Sequence, residues 1–532
     1  MAGLLVFVLW PVAAVFLKSV VIEGRLDFSQ YVLLFREEKR LLVNTLLVST
    51  LTTVLSVGLG LCVALYLSHT RMRAKPLVFG TLMLSVISPP FVCSLVYIML
   101  FGRRGLITWK LLGLHLNPYG WHGVVLMQTA GYVALAAFLI LGVLHRVDRR
   151  LELSALDMGA SDWAVLRTVT LPLAAPGLLV AGVIVFIRSL SDFGTPIIIG
   201  GRFTVLATEA YLSVIGIYDM PRASAMGMVL LLPALAAFLL YRRIMGRGGF
   251  FSARTQLDAQ GERMEPSAAL KAVLALVTWG YVVFELVKYG TIFCGAFTRT
   301  WGVDFTPTLM HFESFSGNNL ASFLRSLEYS LVAAAAGSVL GLIIAYVLER
   351  KRPPGAKALD FIADLPYIIP GPFFGIAYIL AFHNPPLVLT GTVFIVIANC
   401  VFRQLPVSVN SGISVLKQCN PELESAARDL GAREWRVLKD VIAPLMKPAF
   451  LISFINTFTM TMITIGAIIF LVSPGTRLAT IAMFADIKRG NIGGASVMAN
   501  LIIVSVLVVN LGFTWFFLRR PGKRGKAHVP AP

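Results

Sequence analysis

Two stretches of this sequence, 272 residues apart, are variants of one motif: Glu152-Leu-Ser-Ala-Leu-Asp-Met-Gly-Ala-Ser-Asp-Trp163 and Glu424-Ser-Ala-Ala-Arg-Asp-Leu-Gly-Ala-Arg-Glu-Trp435. Over residues 152–176 and 424–448, 12 of 25 positions are identical, whereas composition alone would give about two. Self-similarity at a fixed offset indicates a chain assembled from copies of one structural unit. The repeat therefore predicts two units built to the same plan.

The two copies differ in length at one place. Nearer the start of each copy the offset is 281, because Pro89 pairs with Pro370 and Tyr97 with Tyr378. Nine residues are thus absent from the second copy between these positions and the motif. We expect the difference in the loop around residues 103–121 of the first copy.

The composition is typical of a membrane protein. Of 532 residues, 57% are hydrophobic and 14% charged, whereas soluble proteins have roughly 45–50% and about 25%. The five cysteines show no CxxC spacing, which argues against a disulfide framework or a zinc site. A helix needs about 20 apolar residues to cross a bilayer. Twelve segments are candidates: Ala2–Val21, Leu41–Thr70, Leu77–Gly102, Leu111–Leu144, Thr168–Ile187, Ala223–Tyr241, Ala272–Phe297, Tyr329–Leu348, two within Leu365–Phe402, Pro448–Thr476 and Gly490–Leu518.

The predicted fold class is all-α, a polytopic membrane protein of about twelve transmembrane helices in two parallel six-helix repeats. We assign residues 1–245 to the first unit, 246–268 to a linker, 269–520 to the second unit and 521–532 to a basic tail. Parallel repeats are related by an axis along the membrane normal, and a pathway then lies between the halves.

The basic residues predict the orientation. With the N-terminus inside, the cytoplasmic segments hold 29 of the 46 Lys and Arg residues and the external segments hold 14, as the positive-inside rule requires. We therefore expect both termini in the cytoplasm of a bacterial cell and a location in the inner membrane. The net charge of +19 is explained by the Lys and Arg residues of the cytoplasmic segments. We therefore expect the lipid bilayer as a partner and no binding of nucleic acid.

Each copy of the motif resembles the Glu-Ala-Ala loop of the permease subunits of binding-protein-dependent ABC importers. In that loop a Gly is followed thirteen positions later by a Pro, as Gly159 is by Pro172 and Gly431 by Pro444. Two such permease units, fused, would account for all twelve spans and for a fold like that of type I ABC importers. One departure is present: the family's Glu position falls on a Leu or Ser here, and the Glu stands one residue earlier.

The resemblance implies that each loop is a coupling helix that docks on an ATPase subunit. The residues implied in ATPase coupling are Glu152, Ala155, Gly159, Trp163 and Pro172 of the first unit, and Glu424, Ala427, Gly431, Trp435 and Pro444 of the second. The chain contains no G-x-x-x-x-G-K-[ST] phosphate loop. We therefore expect no cofactor and no enzyme activity in this chain, and ATP and Mg²⁺ on a partner ATPase homodimer.

Other classes of protein compete with this interpretation. A secondary transporter also has two six-helix halves and uses ionisable residues inside the membrane. The motif could instead be an interfacial helix that lies on the lipid headgroups. A membrane enzyme is disfavoured, because the seven His residues are scattered and no HExxH or GxSxG pattern is present.

Charged residues within spans mark the candidate translocation path. Arg188 and Asp192 lie four residues apart near the end of the fifth span, and they form either a mutual salt bridge or part of the path. Further candidates are Gly194, Pro196 and Gly466. Gly194 pairs with Gly466 across the repeat, whereas Pro196 has no proline counterpart. We therefore expect a helix irregularity mainly in the first half. The remaining charged pair, Glu285 and Lys288, is predicted to neutralise itself. No metal site is predicted.

Fused permeases of this length with a Ser-Asp-Phe-Gly-Thr-Pro segment, residues 191–196 here, resemble the ferric-iron importer family. The resemblance implies ferric iron as cargo, delivered by a periplasmic or lipid-anchored substrate-binding protein. Relatives in that group carry aminoethylphosphonate or sugar phosphates, and an Arg in the path favours an anion. These cargoes stay open as alternatives.

Overall fold

The computed structural model describes residues 2–115, 117–145, 147–246, 267–315 and 317–518. This part of the chain is α-helical apart from two short antiparallel hairpins, β1 (Val21–Ile22) with β2 (Arg25–Leu26) and β3 (Thr298–Thr300) with β4 (Asp304–Pro307). Ten described helices are long and apolar enough to cross a membrane, and two bent helix pairs raise the number to twelve. The all-α polytopic fold is confirmed. Most of the predicted linker and the whole predicted tail lie outside the described residues.

The two units contain matching series of helices. The first contains α1 (Ala2–Val20), α2 (Ser29–Arg36), α3 (Lys39–His69), α4 (Lys75–Ile87), α5 (Phe91–Phe101), α6 (Trp121–Leu144), α7 (Arg149–Asp157), α8 (Asp162–Leu190), α9 (Gly194–Ile199), α10 (Leu206–Ile217) and α11 (Met220–Gly246). The second contains α12 (Ala268–Ala296), α13 (Met310–Glu313), α14 (Asn318–Lys351), α15 (Ala356–Ile368), α16 (Gly371–Phe382), α17 (Val393–Gln418), α18 (Glu422–Asp429), α19 (Glu434–Leu445), α20 (Lys447–Ile463), α21 (Ala479–Arg489) and α22 (Ile492–Leu518). Residues 102–120 join α5 to α6, but only residues 383–392 join α16 to α17. The nine-residue difference lies where it was predicted.

Two spans that were predicted as continuous helices are broken. The first is divided between α4 and α5, where Ser88 is extended before Pro89. The second bends by 115° between α15 and α16, where Ile369 is extended before Pro370. Proline lacks an N–H donor and disfavours the helical conformation of the preceding residue. Because Pro89 and Pro370 are equivalent in the repeat, the break is built into both units.

The first span of each unit crosses to the other unit. Helix α1 packs on α16 as well as on α11, and Tyr378 donates a hydrogen bond from its hydroxyl to the carbonyl of Phe7 over 2.8 Å. In the same way α12 packs on α3, α4 and α22, and Tyr289 donates to the carbonyl of Leu84 over 3.0 Å. This exchange joins the two units across one extended hydrophobic core.

The charged pair of α12 is buried where α12 crosses to the first unit. Lys288 is 1% exposed and Glu285 is fully buried. The ammonium donates a hydrogen bond to a Glu285 carboxylate oxygen over 2.8 Å. The prediction of a self-neutralising pair is confirmed.

Replacing Lys288 by Met should destabilise the protein, because it leaves the Glu285 carboxylate buried without a counter-ion. Breaking such a pair costs about 3–5 kcal/mol of the free energy of unfolding. The double variant Lys288→Met with Glu285→Met should recover most of that loss. Thermal unfolding in detergent, followed by tryptophan fluorescence, measures both effects. A single variant as stable as the native chain would contradict the assignment.

Candidate functional site

The repeated motif forms the same helix–turn–helix in both units. Gly159 and Gly431 have φ angles of +86° and +83°, a left-handed conformation that side chains with a Cβ disfavour. Each turn is closed by two backbone hydrogen bonds. In the first unit the N–H of Gly159 donates to the carbonyl of Leu156, and the N–H of the following residue donates to the carbonyl of Ala155. Both hydrogen bonds recur in the second unit, where the carbonyl of Ala427 is the second acceptor. This double bond is the Schellman pattern of helix C-termini. The motif therefore specifies a rigid corner between α7 and α8, and between α18 and α19.

The two prolines of the motif lie thirteen residues after the glycines. Pro172 follows a π-helical turn at Leu166–Thr170, and Pro444 follows one at Val437–Ile442. A π-turn is a common accommodation of a residue that interrupts the regular hydrogen-bond ladder. Each proline thus marks the point where the loop helix continues into the next span.

The two motif glutamates are buried inside the chain. Glu152 is 2% exposed and accepts a hydrogen bond from Thr170 Oγ1 over 2.6 Å, with His69 Nε2 at 3.3 Å. Glu424 is 5% exposed, and its carboxylate lies 2.8 Å from Nε of Arg350. His69 and Arg350 are equivalent at the 281-residue offset. We call this contact the latch, since it ties each loop to the end of α3 or α14.

The latch was not predicted from the sequence. The resemblance implied only that both glutamates belong to the coupling loop, with their contact with the ATPase left open, and the structure buries both within this chain. The pairing of His69 with Arg350 was the available signal, because it places a nitrogen-bearing side chain at the same position of both copies. Arg350 also donates to the carbonyls of Leu416 and Cys419 over 2.9 and 3.0 Å.

Each loop exposes three large apolar side chains. In the first unit these are Leu151 (50% exposed), Met158 (82%) and Trp163 (63%); in the second they are Leu423 (49%), Leu430 (89%) and Trp435 (70%). The members of the two sets are equivalent at the 272-residue offset. We call each set an apolar triad. Only the tryptophans were predicted as site residues, although Leu and Met at matching places in a polar loop were a visible signal.

A cavity lies between the two units and contains most of the predicted path residues. Its lining includes Arg188, Asp192 and Gly194 from the first unit and Gly466 from the second. Met460, the counterpart of Arg188 in the repeat, also lines it. Pro196 is buried beside the cavity within α9.

Arg188 and Asp192 do not form the salt bridge that was one of the two predicted roles. Helix α8 ends at Leu190, so Asp192 lies in the following turn and not one helical turn above Arg188. One Asp192 oxygen accepts the N–H groups of Gly194 and Thr195, at 2.9 and 3.0 Å. The other accepts from Gln128 Nε2 at 2.9 Å. Asp192 therefore caps α9.

The helix irregularity that was expected mainly in the first half occurs in both. In the second unit α20 ends at Ile463 and Thr464 is extended. Proline is not required for this break, since that unit has none here. The two glycines allow close packing: a Cβ on Gly194 would lie 2.1 Å from the ring of Phe91, and one on Gly466 would lie 3.4 Å from Cα of Gly371.

The cavity contains a second arginine that sequence reasoning missed. The charge of Arg403 ended the predicted tenth span at Phe402, but α17 continues to Gln418 and Arg403 lines the cavity. The available signal was the repeat, which pairs Arg403 with Gly131 in the middle of α6. A charge that faces a cavity does not end a span.

Aromatic rings from both units pack beside the cavity. Phe91, which lines the cavity, stacks on Phe484 at 4.9 Å between ring centroids, and Phe193, which also lines it, stacks on Tyr211 at 5.2 Å. All four side chains are at most 7% exposed. Such a tightly packed group excludes water.

A second, wider cavity adjoins the first. Ile187 and Tyr367 line both, so they mark the boundary between them. Its lining includes Arg242 of α11, whose guanidinium lies 2.6 Å from Asp360 of α15 in the other unit. The two cavities together make a nearly continuous space between the units. Within the described residues, no three His, Cys, Asp or Glu side chains are grouped closely enough to hold a metal ion.

Replacing Glu424 by Ala should loosen the second loop, since it leaves the largely buried Arg350 without its carboxylate. We expect the free energy of local opening to fall by about 2–3 kcal/mol. Hydrogen exchange of the backbone amides in residues 422–445 measures this change. Glu422→Ala, an exposed glutamate in the same helix, is the control and should exchange as the native chain does. Unchanged exchange in the Glu424 variant would contradict the latch.

Known proteins match this architecture along most of the chain. A ferric transport system permease protein, FbpB, of Actinobacillus pleuropneumoniae is 30% identical over 525 residues, which cover 96% of this chain and 76% of that protein. A putative ferric transport system permease protein of Haemophilus influenzae is 32% identical over 488 residues, covering 89% and 77%. A putative 2-aminoethylphosphonate transport system permease protein of Salmonella paratyphi A is 26% identical over 234 residues, covering 43% and 88%.

The same family description matches each unit separately. Residues 56–247 and 337–520 both match the binding-protein-dependent transport system inner membrane component. These two ranges contain the two repeated loops and the helices that line the cavity. The chain therefore belongs to the binding-protein-dependent transport system inner membrane component family, as a fused two-unit ABC importer permease that crosses the inner membrane many times.

Proposed function

We propose that the two repeated loops are docking sites for the two subunits of an ATPase homodimer, which binds ATP and Mg²⁺ and drives import. The observation that carries this proposal is the pair of equivalent apolar triads. Three large apolar side chains exposed on one short polar loop are typical of a surface that a partner covers. Two equivalent sites suit a partner with two equivalent clefts.

The latch and the glycine corner support the same role. A docking element transmits force only if it is stiff and attached to the moving parts. Glu152 and Glu424 attach the loops to the ends of α3 and α14, and Gly159 and Gly431 hold the corner. The features that the two loops share thus concern their rigidity as well as their surface.

We further propose that the cargo is ferric iron, received from a periplasmic or lipid-anchored binding protein. The support is the likeness to two ferric transport permeases over 89–96% of this chain. The loops and both termini then lie in the cytoplasm, in agreement with the distribution of Lys and Arg. The aromatic group beside Phe91 then faces the external side.

An anionic cargo, such as aminoethylphosphonate or a sugar phosphate, is the second candidate. The observation that favours it is the presence of two arginines, Arg188 and Arg403, in the cavity between the units. The relative from Salmonella paratyphi A is named for transport of 2-aminoethylphosphonate.

Growth of a deletion strain distinguishes the two cargoes. If the cargo is ferric iron, the strain should fail on limiting iron and grow normally with a phosphonate or a sugar phosphate as its phosphorus source. The opposite pattern would overturn the ferric-iron assignment.

The purified chain alone should hydrolyse no ATP. Hydrolysis by this chain without any partner would overturn the proposal that ATP is hydrolysed by a separate subunit.

Replacing Leu430 by Ser should weaken binding of the ATPase without affecting the fold, because this side chain is 89% exposed. Burial of a leucine contributes about 1.5–3 kcal/mol, so we expect the dissociation constant to rise roughly tenfold or more. Leu111→Ser, at an exposed leucine in the loop between α5 and α6, is the matched control and should leave binding unchanged. Titration of the permease in nanodiscs with the ATPase measures both constants. Equal affinities would contradict the docking role.

A further inference from the structure

The cavity between the units is lined by two guanidinium groups that have no acidic partner. Arg188 comes from α8 of the first unit and Arg403 from α17 of the second. Among the described residues, neither forms a salt bridge. Nη1 of Arg403 is shielded from solvent and has no hydrogen-bond partner. A buried donor without an acceptor is costly, so a ligand that supplies oxygen atoms would stabilise this position.

The broken helices add positive potential at the same place. Helix α5 begins at Phe91 and α16 begins at Gly371, and both residues line the cavity. The first N–H groups of a helix have no acceptor within it, and the helix dipole is positive at this end. The guanidinium of Arg403 lies directly against Gly371, since a Cβ there would be 2.8 Å from Nη2.

The carboxylate that lines the cavity is already hydrogen-bonded within the protein. Among the described residues, Asp192 is the only carboxylate of the lining, and its two oxygens accept from the N–H groups of α9 and from Gln128. The remaining lining polar groups are neutral, among them Tyr132, Tyr367 and Gln404. The described lining therefore carries one net positive charge, with two guanidinium groups against one carboxylate, and Nη1 of Arg403 has no acceptor.

We propose that this cavity is an oxyanion-binding site and that the cargo passes it in an anion-bearing form. The proposal deepens the proposed function and rests on it. A guanidinium fork matches the oxygen geometry of phosphate, phosphonate or sulfate groups. A bare ferric ion would be repelled by both arginines and would find no cluster of hard oxygen ligands. The anion is therefore either the cargo itself or a companion that neutralises ferric iron.

Binding of inorganic phosphate to the full chain in lipid nanodiscs tests the site directly. Equilibrium binding of ³²P-phosphate should be saturable, and Arg188→Gln and Arg403→Gln should each weaken it roughly tenfold or more, the usual value of a charge-assisted hydrogen bond. Arg202→Gln, at an exposed arginine of the same unit, should bind as the native chain does. Absence of saturable binding by the native chain, or binding by both cavity variants that is as tight as that of the native chain, would overturn the site.

A folding defect is separated from a binding defect by two further measurements. Each variant is first compared with the native chain in its elution volume and in its affinity for the ATPase, which binds far from the cavity. Should Arg403→Gln fail to fold, Arg188→Gln and the charge-preserving Arg403→Lys carry the test. Lysine keeps the charge but loses the planar fork, so the Arg403→Lys variant should bind phosphate more weakly than the native chain. It should still bind phosphate more tightly than the double variant that carries both Arg188→Gln and Arg403→Lys.

Transport in proteoliposomes with the ATPase and the binding protein distinguishes the two sources of the anion. Entry of ³²P-phosphate together with ⁵⁵Fe supports a companion anion. Entry of ³²P-phosphate alone supports the site but overturns iron as the cargo. Equal entry of ⁵⁵Fe in the complete absence of oxyanions overturns the inference and leaves the proposed function intact.

Discussion

Inside a bilayer every backbone N–H and C=O must find a partner within the protein, so irregular backbone is tolerated only where it lines a cavity or is covered by protein. This constraint organises the whole structure. Helices are interrupted in the middle of the bundle between α4 and α5, between α15 and α16, after α8 and after α20. All four interruptions contribute residues to the lining of one cavity, among them Phe91, Gly371, Asp192 and Thr464. The breaks thus create the cavity, and the remaining long helices enclose it.

The sequence alone was sufficient for the features that repeat. The two units, the glycine corners, the nine-residue difference in loop length and the neutral pair on α12 all follow from the offset between the copies or from local spacing. Hydropathy failed at the broken spans, because Pro89 and Pro370 interrupt hydrogen bonds without interrupting the apolar run. Hydropathy also failed at Arg403, because it cannot distinguish a charged residue that faces a cavity within the membrane from one that lies in a loop outside it. The latch was missed because His69 and Arg350 lie more than 70 residues from their glutamates.

The sequences of the two units differ at the cavity that lies between them and agree in the loop that each unit has for itself. Both keep a glutamate in the latch and an apolar triad, as expected if each loop binds one subunit of the proposed ATPase. The arginines of the cavity are distributed differently: the repeat pairs Arg188 with Met460 and Arg403 with Gly131. One cavity between two units needs each charge only once. Fusion of the units in one chain permits this specialisation, which two identical subunits could not achieve.

The same helices connect the loops to the cavity. Helix α8 begins just after the corner and contains the π-helical turn at Leu166–Thr170. Along this helix Trp163 and Arg188 are 25 residues apart, or about 37 Å at 1.5 Å per residue. Arg403 lies on α17, which leads at its C-terminal end into the loop of the second unit. Each arginine is therefore attached to a different loop, and each loop is fixed by its latch to α3 or α14. Helices α8 and α17 are therefore the elements that connect the two loops to the two guanidinium groups. The proposed anion site and the proposed docking sites are in this way joined by the same two helices.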